Sequence, residues 1–251
     1  MISPGPVSAV HAADGRLGFG VPGYAHPMLA PTEWAEVSRP GVPLHWVVLN
    51  VDGGPGDRPD PYWHAVAHQL RTGRENPPAL LGHLDLGRGA RPLSALLADA
   101  CRYRDWYRVD GFYLGDCPTQ RVWLGEVKAL AEAVRALYED HVRLVLGHGR
   151  HPDPGYLDVG DQLVTFRGPW SEYRWSQVAR WTADHLPERF CHLVHGVPPT
   201  HLSEALRVAR WQGAGTVYLT DRTAWDGADP WESLPGYWDE LVSMVGTGVS
   251  E

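Results

Sequence analysis

The chain has 251 residues and a formal net charge of -8, with 30 acidic residues against 22 Lys and Arg. No dense run of basic residues offsets this balance, which argues against a nucleic-acid-binding or membrane-surface protein. No segment reaches the roughly 20 apolar residues that a membrane-spanning helix requires. We therefore expect neither nucleic acid nor membrane among its partners.

The amino-terminal segment reads MISPGPVSAVHAADG. It lacks the basic lead and the uninterrupted apolar stretch of a secretory signal, so we expect a cytoplasmic protein. We interpret residues 1–15 as a flexible extension of a single domain that spans 1–251, because barrels of alternating strand and helix reach this length as one unit.

Eight short apolar runs, each ended by Gly, Pro, Asp or Asn, alternate with segments of helical periodicity. The runs predict strands at 16–25, 43–51, 79–86, 111–116, 142–148, 162–168, 190–197 and 215–221. The intervening segments predict helices at 32–38, 61–72, 92–107, 120–140, 176–186, 200–212 and 236–245.

Strands rich in Val and Leu, each followed by a crossover helix, are typical of a parallel sheet that is covered on both faces. Eight such units can close on themselves, so the sequence predicts an α/β protein with a single TIM (β/α)8 barrel. An open doubly wound sheet is the alternative. The phosphate-binding loop of that fold is absent, because the GxGxxG match in this chain, GFGVPG, does not lie at a strand-to-helix turn.

Polar residues occur where the predicted strands end, and in TIM barrels these ends meet at the mouth that holds the active site. A mouth lined in this way is suited to a polar small molecule or a carbohydrate. The predicted substrate-binding residues are Tyr24, Asn50, Asp52, Arg91, Arg167, His195, Tyr218, Asp221 and Trp231.

Among them, Arg91 and Arg167 would hold an anionic group, and Trp231 would stack on the ligand. Structural roles remain open for two acids, because Asp52 is able to form an Asx turn and Asp221 to cap the next segment.

Asp116 ends an apolar strand, where partial desolvation would suit proton transfer. We therefore predict that it is the catalytic acid or base, with Asp85 or His83 as its partner. His83 and Asp85 share one side of their strand, and a buried structural pair is the alternative reading. His and Asp also bind Zn or Mn, but neither HExxH nor HxH occurs, so we expect no metal and no other cofactor.

Several blocks, in this order, resemble spherulation-specific family 4, the spherulin 4-like proteins. They include VPGYAHP, VVLNVDGGPG, LLGHLDLGRGARPLSALLADACRYRDWYRVDGFYLGD, DQLVTFRG, HLVHGVP and GTVYLTD. The resemblance covers nearly the whole chain. It implies a TIM-like barrel, and the characterised relatives are glycoside hydrolases that cut galactosamine-containing polysaccharide.

Two positions depart from the family pattern. The fourth strand of the family typically ends with an Asp-Glu pair, where this chain has Gly115 and Asp116. The sixth strand usually carries Phe-Glu-Gly, where this chain has Arg167 in place of the glutamate. Glycosidic cleavage generally needs two carboxyl groups, and an arginine replaces neither.

Three outcomes remain open. The acid pair is Asp116 with Asp85 or Asp52, or the site acts on a different, anionic small molecule, or catalysis is lost and binding is retained. The sequence thus supports two hypotheses, a glycosidase-like enzyme with an altered acid pair and a non-catalytic carbohydrate- or small-molecule-binding protein.

Overall fold

The computed structural model describes residues 17–23, 25–138, 141–225 and 229–246. Eight parallel strands form one closed barrel in sequence order, which confirms the predicted TIM barrel. The strands are β1 (Gly18–Val21), β2 (Leu44–Leu49), β3 (Ala79–Asp85), β4 (Gly111–Gly115), β5 (Arg143–Leu146), β6 (Gln162–Pro169), β7 (Phe190–His195) and β8 (Thr216–Leu219). The predicted extension at residues 1–15 lies outside the described residues.

Each strand pairs with the next one along the chain, and β1 closes the barrel against β8. On β3 and β4, for example, Leu81 lies opposite Gly111 and Asp85 lies opposite Gly115. Because all the strands run in parallel, their carboxyl ends meet at one rim. All eight predicted strands overlap observed ones, and the loops that carry the polar residues begin at this rim.

The helices pack around the barrel. They are α1 (Pro31–Val37), α2 (Pro61–Arg71), α3 (Leu93–Tyr107), α4 (Leu124–Arg135), α5 (Trp170–Tyr173), α6 (Leu202–Trp211) and α7 (Trp238–Gly246). Helix α2 shows how the sequence sets a boundary, since Asp60 caps it by accepting the N–H of Tyr62 at 2.8 Å. None of the helices in the described part of the chain has the length and apolar character needed to cross a membrane.

The helix predicted at 176–186 is wrong. The chain after β6 instead forms the four-residue α5, and it then makes a 3-10 turn at Arg180–Asp184. The hydroxyl of Ser176 donates to the carbonyl of Tyr173 at 2.7 Å, and that of Thr182 donates to Ala179 at 2.8 Å. Hydroxyl groups that bond to nearby backbone in this way compete with a continuous helix.

A buried polar network closes the amino-terminal end of the barrel. The Trp46 indole N–H donates to the Gln162 side-chain oxygen at 2.7 Å, and the Gln162 amide donates to Thr216 at 2.9 Å and to the Glu188 carbonyl at 2.7 Å. His45 hydrogen bonds to the same Thr216 hydroxyl at 2.8 Å. We call these residues the floor network.

Candidate functional site

The mouth of the barrel opens into two adjoining cavities. The first has a volume of about 400 Å³ and lies over the ends of β1 to β4. The second has a volume of about 880 Å³ and lies over the ends of β4 to β7. The residues that line both, and so mark their boundary, are Asp116, Arg167, Asp229 and Trp231.

The charged side chains that line only one cavity differ in sign. We call the first cavity the acidic side, because its own acids are Asp52, Asp85 and Glu232. We call the second the basic side, because its own charged residues are Arg88 and Arg150. The mouth is therefore electrically polarised along its length.

Asp116 lies immediately after β4, at the boundary of the two sides. Its side chain is 54% exposed, and its nearest cation is Arg88, whose Nε lies 3.8 Å from Oδ2. The expected partial desolvation is therefore not observed, and the residue has a φ of 47°. A positive φ is strained for a residue other than glycine, and such strain is concentrated at functional sites.

His83 and Asp85 both line the acidic side, as their alternation on β3 predicts. Burial lowers the pKa of His83, and the neighbouring carboxylates of Asp85 and Asp116 only partly oppose this effect. The imidazole is therefore neutral near pH 7, and its buried Nδ1 has no hydrogen-bond partner among the residues that the structure describes. Asp85 is held in place because its Oδ1 accepts the N–H of Gly87 at 2.8 Å.

Gly115 and His83 fit each other across neighbouring strands. A Cβ atom at position 115 would lie 2.5 Å from Nε2 of His83, which is too close for a real contact. The imidazole therefore occupies the space that any side chain at this position would need. The absence of a side chain at position 115 is therefore compatible with the position of the His83 ring.

Arg167 is an exposed cation on β6 that forms no ion pair within the described part of the chain. Its guanidinium carbon lies 5.5 Å from the centre of the Trp231 ring, within the range of a cation–π interaction. Trp231 is itself buried, and it packs against Tyr218 and His195. The cation is thus held over a fixed aromatic face and remains open to a ligand.

Two histidines line the basic side. Nδ1 of His148 bonds to the carbonyl of Cys117 at 3.2 Å, so this nitrogen carries the proton and Nε2 is an acceptor. Burial lowers the pKa of His148 to about 4, and it also lowers the pKa of His195, with a further contribution from the Arg167 charge. Nε2 of His148 and Nδ1 of His195 are buried and have no partners within the described part of the chain.

Three predicted binding residues lie outside the two cavities. The Arg91 guanidinium bonds to the Asp99 carboxylate at 2.7 Å and to the Asp85 carbonyl at 3.2 Å. Tyr218 is fully buried beneath Trp231, and Asp221 accepts the N–H of Gly236 at 3.0 Å. Tyr24 lies outside the described residues.

The other predicted residues share the mouth. Those that line one or both sides are Asn50, Asp52, His83, Asp85, Asp116, Arg167, His195 and Trp231. Asn50 resembles the histidines in that its buried side-chain oxygen has no partner. Within the described residues, no group of three His, Cys, Asp or Glu side chains is arranged to hold a metal ion.

Asp229 is a mouth carboxylate that the strand-end rule misses. It lies in the long loop between β8 and α7, lines both cavities, and accepts the N–H of Trp231 at 3.0 Å. Its position two residues before a predicted stacking tryptophan is the sequence signal that could have identified it. Cys117, next to Asp116, is unsuited to nucleophilic attack because burial raises the pKa of its thiol well above the usual range.

Comparisons with known proteins agree with this architecture. The sequence model described as spherulation-specific family 4 matches residues 19–245. Spherulin-4 from Physarum polycephalum is 21% identical over 259 residues, which cover 98% of this chain and 76% of that protein. The crystal structure of Aspergillus clavatus Sph3 in complex with GalNAc has the same fold, with a TM-score of 0.78 and 23% identity over 92% of this chain and 98% of that one.

Proposed function

The chain belongs to spherulation-specific family 4, and on that premise we propose that it is a carbohydrate-directed hydrolase that works by acid–base chemistry at the barrel mouth. The observation that carries the proposal is that Asp116, His83 and Asp85 line one cavity. The structurally similar Sph3 is in complex with GalNAc, which supports a sugar as the ligand.

His83 takes the place of the lost carboxylate in this proposal. A neutral imidazole accepts a proton from an attacking water molecule as its oxygen bonds to the sugar carbon. The bond from that carbon to the departing oxygen then breaks, and the departing oxygen takes a proton from the carboxyl group of Asp116. The imidazolium returns its proton through solvent, and the carboxylate regains one, so that the cycle closes. Asp85 lies near enough to stabilise the imidazolium by charge.

The test is turnover of galactosamine and N-acetylgalactosamine oligosaccharides by the parent protein and by Asp116→Asn. We expect kcat/KM to fall by at least about 100-fold in the variant, with ligand affinity changed only a few-fold, because the amide keeps the shape and loses the proton. Asp184→Asn is the matched control, since Asp184 lies in a 3-10 turn outside the mouth. Equal rates for Asp116→Asn and the parent would remove Asp116 from the mechanism.

A non-catalytic carbohydrate-binding protein is the second candidate. The observation that favours it is the guanidinium of Arg167, which stands where the family resemblance has a glutamate and is unable to transfer a proton at neutral pH. The same assay separates the two candidates. Binding of the oligosaccharides by the parent protein without any release of product supports the binding protein.

A further inference from the structure

The basic side of the mouth differs in charge from the chain as a whole. The chain carries a net charge of -8, yet none of its acids lines the basic side alone within the described residues. Asp116 and Asp229 reach this side at the boundary that they share with Arg167, so three arginines, Arg88, Arg150 and Arg167, face two acids. A cationic region in an acidic protein indicates a ligand group of negative charge.

The arginines of this region are free to bind such a group. Arg150 and Arg167 form no ion pair within the described ranges, and the Arg88 side chain is 88% exposed with a loose 3.8 Å contact to Asp116. A guanidinium binds a carboxylate or a sulfate through two parallel N–H donors, and the contact of Arg167 with Trp231 already restricts its orientation.

His148 provides a second and independent indication of a ligand. The residue is only 9% exposed and lines the basic side, and its buried Nε2 is an acceptor without a partner among the described residues. A buried acceptor without a partner is costly unless a ligand supplies a donor. The basic side therefore offers cations for an anion and an acceptor for a hydroxyl group.

We propose that the basic side of the mouth binds an acidic sugar. The ligand of this protein is then a carbohydrate in which a sugar unit with a carboxylate or sulfate group adjoins the sugar unit held on the acidic side. A simple anion has no hydroxyl group for His148, and a neutral sugar leaves Arg150 and Arg167 unused. This inference rests on the proposed function, because it names the substrate class of the same site.

The test is isothermal titration calorimetry with three oligosaccharides of matched length: an oligogalacturonate, a chondroitin sulfate oligosaccharide and a neutral N-acetylgalactosamine oligosaccharide. We expect at least one acidic probe to bind about 10-fold more tightly than the neutral one. Arg167→Gln should weaken that binding by roughly 10-fold and weaken binding of the neutral probe by a smaller factor. Arg207→Gln, on the exposed face of α6, should change neither affinity.

The outcomes separate the inference from the proposed function. Preference for the galacturonate identifies a carboxylate as the anionic group, and preference for the chondroitin probe identifies a sulfate. Equal binding of all three probes, unchanged by Arg167→Gln, overturns the acidic sugar and leaves the proposed carbohydrate site intact. Binding of none of the three overturns both.

Discussion

The two ends of the barrel differ in how completely their buried polar groups are hydrogen-bonded. In the floor network, the indole N–H of Trp46 and the amide of Gln162 are fully paired within the protein. At the mouth, four of the described residues have polar atoms that are buried without partners, and these residues are Asn50, His83, His148 and His195. Nε of Arg143, at the start of β5, is also buried without a partner in the described part of the chain, but it lines neither cavity, whereas the four mouth residues all do.

Unpaired buried atoms also occur in Trp63 and Trp238, which line neither cavity, so it is their position at the mouth that distinguishes the polar residues suited to a ligand. An unpaired buried donor or acceptor costs about 1–3 kcal/mol, so natural proteins pair nearly all of them. His192 shows the structural case, because Tyr173 bonds to one of its ring nitrogens and Thr165 to the other. The unpaired atoms of residues that line the two cavities, in contrast, are explained if a bound molecule supplies the missing partners.

The largest effect on stability is expected at the floor. Gln162→Leu removes three hydrogen bonds and leaves the Trp46 indole N–H buried without an acceptor, so the free energy of unfolding should fall by about 3 kcal/mol. Urea unfolding, monitored by tryptophan fluorescence, measures this free energy. Gln177→Leu, at an exposed position, should stay within about 0.5 kcal/mol of the parent. A loss below about 1 kcal/mol at Gln162 would mean that the network adds little to the floor.

The next effect is a loss of stability in acid. Burial lowers the pKa of His45 and of His148 to about 4, against about 6.5 in an unfolded chain. Between these values the unfolded state binds more protons, so stability is complete above pH 6.5 and falls as the pH is lowered towards 4. Each histidine contributes up to about 1.4 kcal/mol per pH unit.

Urea unfolding at pH 7 and pH 5 measures this loss of stability, and a substitution of His148 tests the contribution of the mouth separately from that of His45 in the floor network. His148→Leu should reduce the difference between the two pH values, and His68→Leu should not, because His68 is exposed on α2. An unchanged pH dependence in His148→Leu would show that this histidine is not held neutral in the folded protein.

The sequence predicts the barrel better than it predicts the mouth. Apolar alternation is a local property, and it was sufficient to place all eight strands and to bring His83, Asp85, Asp116 and Arg167 to one rim. Loop conformation depends on contacts between distant segments. The role of Arg91 as a partner of Asp99 was therefore not visible in the sequence, nor was the place of Asp229 in the mouth.

The packing of His83 against Gly115 is a second feature of the mouth that the sequence could not predict. Each residue was identifiable as part of a strand end, and the replacement of the family acid by glycine was visible in the sequence. The reason for the glycine depends on the register of β3 against β4 and on the orientation of the imidazole ring. Neither follows from the periodicity of one strand.

A smaller effect on stability should come from replacing a paired histidine and an unpaired histidine by leucine. His192→Leu removes two hydrogen bonds and should lower the free energy of unfolding by about 2 kcal/mol. His83→Leu removes an unpaired Nδ1, so its stability should change by less than about 1 kcal/mol, while turnover of the oligosaccharides is lost. Chemical denaturation and the activity assay give both values. Equal destabilisation by the two substitutions would contradict the distinction between paired and unpaired histidines.

The smallest effect is expected at Asp221, a predicted binding residue that the structure places beside the mouth and not in it. Its carboxylate accepts the N–H of Gly236 at 3.0 Å and so fixes the loop between β8 and α7. The Asn oxygen still accepts that hydrogen bond, so Asp221→Asn should change the affinity for the oligosaccharides by less than about 2-fold. Asp229→Asn, on the same loop but inside the mouth, should have a larger effect. If calorimetry instead shows that Asp221→Asn lowers the affinity for the oligosaccharides more than Asp229→Asn does, the ligand extends beyond the two cavities. Asp221 and its loop would then belong to the ligand-binding polar groups and not to the structural ones.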